Sequence, residues 1–455
     1  MSDIFDRRIP YFQNVDRTEW HSWMWQQQNA LRNSLQLKKL FPSFPERESL
    51  RAQAWEKNGF RFLLTPYVLA LVEKDKDGNP LETDPIWRQV FPVFDMLSQV
   101  ETPILQKYKK REPKGFSQTL RLASDGSRGS RRVASHVSGK PFGEQQLGGG
   151  NVGGTSCSPC GIDEYSPQKE NWENSDEMIT PIAQHKYRNR VIIYTADACL
   201  GYCMYCFRSL QSNAPAEKHG GRPHWNETLE KLRTRPEVEE VILSGGDPLL
   251  YDNANVESML KDLREISSIK AIRIHTRAWL HNPYRIDEEF CRLLKKYRVT
   301  EMGVHILHPN EMTSDFQDAV QRIRDSGART QLMTDTVLVK GINDDSEILH
   351  QLFMGLYVSG IKPYYLSHNM PNIPAAASQR TSVRRGLEIY KSLKRHISNV
   401  AMPEYIICDR VGKKTVPESL EGAPDFIYDQ DENGWPIVRY LDWQERWQVY
   451  VDAKD

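Results

Sequence analysis

The pattern of hydrophobic and polar positions changes three times along the chain. Residues 1–104 combine polar helix-forming runs with many aromatic side chains, as in "EWHSWMWQQQNALRNSLQLKKL", which predicts a helical region that packs through tryptophan. Residues 105–170 are rich in glycine, serine and basic residues and poor in large apolar ones, which predicts a flexible insertion. Residues 171–400 alternate apolar runs of strand length with helical segments, and residues 401–455 form a C-terminal extension.

The alternating region predicts an α/β fold with a parallel sheet. Its six apolar runs are "RVIIYTA", "VEEVILSGGDP", "IKAIRIHTR", "TEMGVHIL", "TQLMTDTVLV" and "IKPYYLS". A helical segment follows each run, and such units form parallel strands joined by right-handed crossovers. We therefore predict a partial (β/α)6 barrel with an N-terminal helical region and a C-terminal extension. In such a fold the functional residues lie at the carboxyl ends of the strands.

Composition and charge exclude several classes of protein. The 455 residues are 39% hydrophobic and 26% charged, which is typical of a chain that buries a core. The 60 Lys and Arg residues balance 60 Asp and Glu residues, which argues against nucleic acid or a membrane surface as a partner. The chain has no apolar run of membrane-spanning length and no apolar N-terminal leader, so we expect a cytoplasmic location.

Three of the seven cysteines cluster directly after the first predicted strand. Cys199, Cys203 and Cys206 follow the spacing C-x3-C-x2-C, which suits three corners of a four-iron cluster and leaves the fourth iron open to a small molecule. The alternative is a zinc site completed by a distant histidine, but structural zinc usually uses C-x2-C or histidine knuckles. With Tyr205, the motif resembles that of the radical S-adenosylmethionine enzymes.

A second small motif follows the second predicted strand, at the same edge of the sheet. Ser244, Gly245 and Gly246 let backbone groups approach a ligand, and Asp247 can accept hydrogen bonds from an ammonium group. Gly-Gly-Asp is also a common turn. Its position one strand–helix unit after the cysteines nevertheless resembles the motif that binds the methionine amino group of S-adenosylmethionine.

Eight further segments together resemble the lysine 2,3-aminomutase family: "EWHSWMWQ", "TPIAQHKYRNRV", "CMYCFR", "EVILSGGDPLL", "IRIHTRAWLHNPYRI", "KGIND", "KPYYL" and "RRGLEIYKSLKRH". The resemblance covers most of residues 16–420 except the insertion. It implies an isomerase in which a [4Fe-4S] cluster cleaves S-adenosylmethionine to a 5′-deoxyadenosyl radical. The radical removes a β-hydrogen from an amino acid held by pyridoxal phosphate, and the amino group moves from Cα to Cβ. It also implies an external electron donor of the flavodoxin or ferredoxin type and a homo-oligomer.

The resemblance implies roles for several basic and aromatic residues. The three cysteines match the cluster ligands, and Arg208 matches the arginine that pairs with the substrate carboxylate. Lys186, Tyr187 and Arg190 match an R-Y-x-x-R run that contacts the phosphate of pyridoxal phosphate, with lysine in place of the first arginine. Ordinary charges at a strand edge are the alternative for Lys186 and Arg190.

Two strand-end residues are further candidates. His305 matches a histidine of the family's H-F-N-H-P-x-E pattern, and we expect it to face the barrel interior near S-adenosylmethionine; a buried core histidine is the alternative. Asp335 stands in Thr334-Asp335, where the family has an N-Q pair. It is either a new carboxylate near the substrate or an ordinary strand-end charge.

The pyridoxal loop departs from the family pattern. The family's D-x-P-G-G-G-G-K run corresponds here to "CDRVGKKTVP", in which Asp409 aligns but the glycine run is reduced to Gly412. Lys413 or Lys414 is therefore expected to hold pyridoxal phosphate, with Lys414 preferred because it precedes the apolar "TVP". The alternative is that both lysines are solvated and the enzyme does not use this cofactor.

The substrate pocket also departs from the family pattern. Lysine-specific members bind the distal ammonium with two aspartates; one matches Asp409, but the other falls within residues 367–370, which carry no carboxylate. Because a buried ammonium needs compensating charge, we predict a small amino acid other than plain lysine. Two alternatives stay open: dehydrogenation, epimerisation or elimination without pyridoxal phosphate, and modification of lysine on a macromolecule that docks through the basic insertion.

Overall fold

The computed structural model describes residues 3–57, 60–93, 177–208, 222–371, 373, 376–409 and 411–454. The predicted insertion at residues 105–170, with its C-x2-C pair Cys157 and Cys160, lies outside the described residues. Within the described ranges, every helix is too short or too polar to cross a lipid bilayer.

The N-terminal region is built from short helices around a core of tryptophan and phenylalanine. The helices are α1 (Arg17–Trp20), α2 (Trp23–Gln28), α3 (Leu37–Leu40), α4 (Glu46–Lys57), α5 (Pro66–Leu71) and α6 (Trp87–Val90). Trp20, Trp55 and Trp87 are buried, and the core they form continues into Met204 and Leu280 of the sheet region. The aromatic side chains therefore attach this region to the rest of the protein.

A ten-stranded sheet forms the body of the protein, and its strands are adjacent in chain order. The strands are β1 (Met178–Thr180), β2 (Ala183–Tyr187), β3 (Arg190–Ala196), β4 (Glu240–Gly245), β5 (Ala271–Thr276), β6 (Glu301–Val304), β7 (Gln331–Leu338), β8 (Lys362–His368), β9 (Glu404–Asp409) and β10 (Gly412–Thr415). Strands β3 to β9 are parallel, and the strands outside them pair antiparallel. No described pairing joins β10 to β1, so the barrel is partial.

The connections between the parallel strands carry the remaining helices: α7 (Arg222–Arg233), α8 (Asn253–Arg264), α9 (Ala278–His281), α10 (Glu288–Lys296), α11 (Ser314–Asp325), α12 (Ser346–Val358), α13 (Ala376–Gln379) and α14 (Val383–Lys394). In α10, Phe290, Cys291 and Leu294 recur at helical spacing on the buried face. The predicted α/β fold is confirmed. The parallel part has seven strands instead of six, because "EYIICD" forms β9.

The C-terminal extension folds back on the barrel. Its strands β11 (Phe426–Gln430), β12 (Pro436–Leu441) and β13 (Trp447–Val451) form a separate antiparallel sheet. The buried carboxylate of Asp452, just after β13, accepts hydrogen bonds from the Val383 amide at 2.8 Å and the Tyr428 hydroxyl at 2.8 Å. It also lies 3.8 Å from the buried Arg380 guanidinium. These contacts attach the extension to the first turn of α14.

We predict that Asp452→Ala lowers the free energy of unfolding by about 3–5 kcal/mol, because it leaves the buried Arg380 guanidinium without its carboxylate. Urea unfolding measures the change. The matched control is Asp429→Ala, which removes an exposed 2.7 Å pair with Arg439 and should cost less than about 1 kcal/mol. Equal losses in the two variants would contradict this account of the extension.

Candidate active site

The three clustered cysteines lie in the loop that follows β3, at the carboxyl edge of the parallel sheet. Cys203 is buried, and Cys199 and Cys206 are partly buried. Burial, followed by the nearby charges of Cys206 and Asp247, raises the pKa of the Cys199 thiol well above its ordinary value. The loop therefore holds three thiols close enough to repel one another as thiolates, which is an arrangement that positive metal centres would stabilise.

The donor set fits an iron–sulfur cluster. Thiolate is the ligand that such clusters take, and a four-iron cluster takes its thiolates on different iron atoms. Cys199, Cys203 and Cys206 are thus the residues that would hold a [4Fe-4S] cluster.

The cysteine loop rests directly on the glycine turn after β4. The Gly246 amide donates to the Ala196 carbonyl at 2.6 Å, and the Asp247 amide donates to the Ala198 carbonyl at 3.0 Å. A Cβ atom on Gly246 would lie 2.0 Å from the Ala198 carbonyl oxygen, so only glycine fits. Gly245 adopts a φ of 108°, which side-chain-bearing residues rarely adopt. The glycines allow two backbone segments to touch.

The Asp247 carboxylate is held by hydrogen-bond donors within the protein. Its carboxylate accepts from the Leu249 amide at 2.9 Å, the Thr276 hydroxyl at 2.9 Å and the Arg277 amide at 2.8 Å. Burial raises the pKa of Asp247 to about 6. Because internal donors engage both oxygens, Asp247 joins the end of β4 to the end of β5. Contact of residues 244–247 with S-adenosylmethionine stays a prediction.

Arg277, which sequence reasoning placed at this edge without a role, links the site to the N-terminal region. Its guanidinium donates to Glu311 at 3.4 Å and to the Gln89 side chain at 3.0 Å, and it lies 5.7 Å from the centre of the Tyr205 ring. It is also close enough to Cys203 to interact with its thiol. The signal for it was the "HTR" that ends the third predicted strand.

Arg208 lies beside the glycine turn. It donates to the Ser244 hydroxyl at 2.7 Å and to the Gly245 carbonyl at 3.4 Å. The guanidinium also packs over the Tyr194 and Phe207 rings, at 4.8 Å and 4.9 Å from their centres. The planar fork is therefore held in place between the cysteine loop and the barrel interior, where it suits a carboxylate.

A polar pocket occupies the barrel interior. It is lined by Arg273, His275, Glu301, Gly303, His305, Met333, Thr334, Asp335, Tyr364, Tyr365 and Lys413. His305 faces this interior, with Nε2 3.2 Å from His275 Nδ1 and Nδ1 3.3 Å from the Asp335 carbonyl. Burial lowers the pKa of His305 to about 4, so its imidazole is neutral near pH 7. The two rings form an uncharged polar wall.

Lys413 and Asp335 form an ion pair in the same pocket. Lys413 Nζ lies 3.2 Å from Asp335 Oδ2 and 4.0 Å from the centre of the Tyr365 ring. The Ser367 hydroxyl donates to Asp335 Oδ1 at 2.5 Å. Desolvation would lower the pKa of Lys413, but Asp335, together with Cys408 and Tyr187, raises it above its ordinary value. Asp335 is therefore a pocket residue and not an ordinary strand-end charge.

The structure reverses the expected preference between the two lysines. Successive side chains of a strand point to opposite faces, and Lys413 and Lys414 are neighbours in β10. Lys413 enters the pocket, whereas Lys414 forms a close ion pair with the half-exposed Asp425. Lys414 therefore does not reach the barrel interior.

The residues expected near the phosphate lie next to the lysine loop. The Tyr187 hydroxyl accepts a hydrogen bond from the Lys413 amide at 3.4 Å, and the Arg190 guanidinium lies 4.3 Å from the centre of the Tyr187 ring. Lys186 Nζ lies 3.8 Å from Glu177. The hairpin of β2 and β3 thus brings the Tyr187 phenol to the backbone of Lys413, with the Arg190 guanidinium packed on that ring.

Asp409 holds the turn into β10. Its Oδ1 accepts from the Val411 amide at 2.9 Å and the Gly412 amide at 3.3 Å, and the Tyr440 hydroxyl donates to Oδ2. Burial raises the pKa of Asp409, which disfavours an unpaired charge there. The carboxylate that aligns with an ammonium-binding aspartate is therefore engaged in holding its own loop.

Comparison with known proteins agrees with this geometry. Residues 193–352 match the family model of the radical SAM superfamily. The L-lysine 2,3-aminomutase of Haemophilus influenzae is 36% identical over 234 residues, which are 51% of this chain and 68% of that protein. The chain belongs to the lysine 2,3-aminomutase family. It is accordingly a radical S-adenosylmethionine enzyme of the isomerase type, with a [4Fe-4S] cluster and S-adenosylmethionine as cofactors.

More distant relatives extend the similarity over most of the chain. The L-lysine 2,3-aminomutase of Acetoanaerobium sticklandii is 26% identical over 423 residues, covering 93% of this chain and 83% of that protein. A glutamate 2,3-aminomutase of Clostridioides difficile is 30% identical over 245 residues, which are 54% of this chain and 56% of that protein. Since relatives named for lysine and for glutamate both match, membership of the lysine 2,3-aminomutase family leaves the substrate open.

We predict that Gly246→Ala reduces the iron bound after anaerobic reconstitution severalfold, because the new methyl group pushes the cysteine loop away from the turn. Iron analysis per chain measures the effect. The control is Gly422→Ala, at a φ of 76° with nothing within 4 Å of the added Cβ. The Gly422→Ala variant should lose about 1–2 kcal/mol of stability but bind as much iron as the wild type. Full iron in Gly246→Ala would contradict the role of this contact.

Proposed function

We propose that the protein is a radical S-adenosylmethionine 2,3-aminomutase that acts on a small amino acid other than plain lysine. The observation that carries the proposal is the pocket itself. Lys413 enters it beside the predicted phosphate-contacting residues, while the positions that would receive a distal ammonium are either without a carboxylate or already engaged.

The cluster and the nucleotide cofactor would lie on the carboxyl edge of β3 and β4. Cys199, Cys203 and Cys206 would hold the cluster, and residues 244–246 would contact S-adenosylmethionine. When bound, these groups supply the 5′-deoxyadenosyl radical. The chain binds and orients the reactants and excludes water, with Arg208 placed to grip the carboxylate of the amino acid. We infer that a flavodoxin or ferredoxin supplies the electron.

Lys413 would hold pyridoxal phosphate, with Lys186, Tyr187 and Arg190 near the phosphate. Asp335 Oδ2, 3.2 Å from Lys413 Nζ, fixes the position of that nitrogen in the pocket. The pairing of Lys413 with Asp335 would thus keep the lysine side chain within reach of the cofactor.

The charges of the pocket support a substrate other than lysine. Residues 367–370 carry no carboxylate, and Asp409 is bound by its own loop. The two carboxylates that line the pocket are already paired, Asp335 with Lys413 and Glu301 with Arg273. A lysine ammonium in this pocket would be buried without a free counter-charge, which is costly.

The Lys413–Asp335 pair also favours a second candidate. A lysine held as an ammonium in a shortened loop suits an enzyme that works without pyridoxal phosphate and dehydrogenates, epimerises or eliminates from its amino acid. Docking of a macromolecule through residues 105–170 is a further alternative, and those residues lie outside the described ranges.

We predict that pyridoxal phosphate attaches to Lys413. Reconstituted protein is mixed with the cofactor and reduced with borohydride, and peptide mass spectrometry locates the modified lysine. The adduct should form in wild type and in Lys414→Ala and disappear in Lys413→Ala. No adduct in wild type, with reductive cleavage of S-adenosylmethionine intact, would favour the second candidate.

We also predict that plain L-lysine is a poor substrate. Substrate-dependent formation of 5′-deoxyadenosine is measured across a panel of neutral, acidic, basic and modified amino acids. Turnover with L-lysine should be at least about tenfold below that of the best substrate. A missing counter-charge that costs about 1.4 kcal/mol of transition-state stabilisation already gives a tenfold lower rate. If L-lysine were the best substrate of the panel, the proposal of a substrate other than lysine would be wrong.

A further inference from the structure

A buried histidine lies against the cysteine loop. His281 is the last residue of α9, and its side chain is fully buried with Nε2 3.9 Å from Cys203 Sγ. Both polar backbone groups of His281 are hydrogen-bonded. Its amide donates to the Arg277 carbonyl at 3.1 Å, and its carbonyl accepts from the Thr65 hydroxyl at 2.6 Å. The imidazole is therefore held in one place.

The cysteine loop is shaped to admit this ring. A Cβ atom on Gly201 would lie 2.1 Å from His281 Nδ1, so the imidazole occupies the space that any side chain at this position would need. Gly201 lies between Cys199 and Cys203 in the chain. Loop and histidine are thus complementary in shape at a point between two of the three thiols.

The surroundings of the ring determine which nitrogen carries the proton. Among the described residues, His281 Nδ1 has no hydrogen-bond partner, whereas Nε2 faces the Cys203 sulfur. A thiolate only accepts hydrogen bonds. The Nδ1–H tautomer would place the Nε2 lone pair against the thiolate and leave a buried N–H unpaired.

We propose that His281 donates a hydrogen bond from Nε2 to the Cys203 thiolate when that thiolate binds the cluster, and thereby makes the cluster easier to reduce. Hydrogen bonds to cluster sulfurs stabilise the more negative, reduced state and raise the reduction potential. His281 is a positioning residue in this account, since it acts through a cluster ligand. The inference rests on the cluster assignment, which the proposed function also uses, and not on the substrate.

The test is a potentiometric titration of the reconstituted cluster, followed by electron paramagnetic resonance without S-adenosylmethionine or an amino acid. His281→Leu removes the donor and keeps a similar volume. It should bind the same amount of iron, with a midpoint about 60 mV more negative, which is a tenfold lower ratio of reduced to oxidised cluster for a one-electron couple. His281→Gln, which restores an N–H, should recover part of the shift. An unchanged midpoint in a fully loaded His281→Leu protein would overturn the proposal.

A second measurement covers the case in which His281→Leu fails to fold or load. Wild-type protein labelled with ¹⁵N-histidine is reduced, and pulsed electron paramagnetic resonance is used to look for magnetic coupling between the cluster and an imidazole nitrogen. The hydrogen bond predicts such coupling, and its absence would overturn the proposal. Both measurements omit the amino acid, so failure of the aminomutase reaction would leave their outcome unaffected.

Discussion

The contact between the cysteine loop and the glycine turn is the constraint on which the rest of the site depends. Two backbone hydrogen bonds, from the amides of Gly246 and Asp247, hold the loop at a distance that no Cβ atom would permit. The same turn aims the Asp247 carboxylate at the end of β5, and the segment that begins there carries Arg277 and His281 back to Cys203. The loop that would hold the cluster is thus fixed by buried hydrogen bonds from neighbouring strand ends and from the N-terminal helices.

The carboxylates of the barrel interior are already engaged by groups of the protein. A lysine-binding pocket needs free carboxylates, but here Asp335 is neutralised by Lys413 and Asp409 holds the turn that presents that lysine. The two departures seen in the sequence, a shortened loop and a new aspartate, therefore meet in one ion pair. In the proposed function, this coupling links the choice of the cofactor lysine to a substrate other than lysine, since both depend on the charge of one small pocket.

Sequence reasoning recovered the features whose chemistry is local. The cysteine spacing, the glycine turn and six of the seven parallel strands follow from motif and periodicity, whereas Asp335 was left open between a pocket carboxylate and a strand-end charge. It missed what depends on tertiary contacts. The choice of Lys413 over Lys414 depends on which face of β10 meets the barrel. The hydrogen bonds to the Asp247 carboxylate come from Thr276 at the end of β5 and from the Leu249 amide two residues further along the chain. His281 approaches Cys203 from a segment distant in sequence. Strand β9 lay in the segment assigned to the extension.

The central claim is that the barrel holds an amino acid so that a hydrogen is removed from Cβ, next to the migrating amino group. The most direct measurement uses the best substrate of the panel, deuterated separately at Cα and at Cβ, with mass spectrometry of the 5′-deoxyadenosine formed. The account predicts deuterium in 5′-deoxyadenosine from the Cβ-labelled compound alone. Deuterium from the Cα-labelled compound alone would contradict it and would indicate epimerisation chemistry in an aminomutase scaffold.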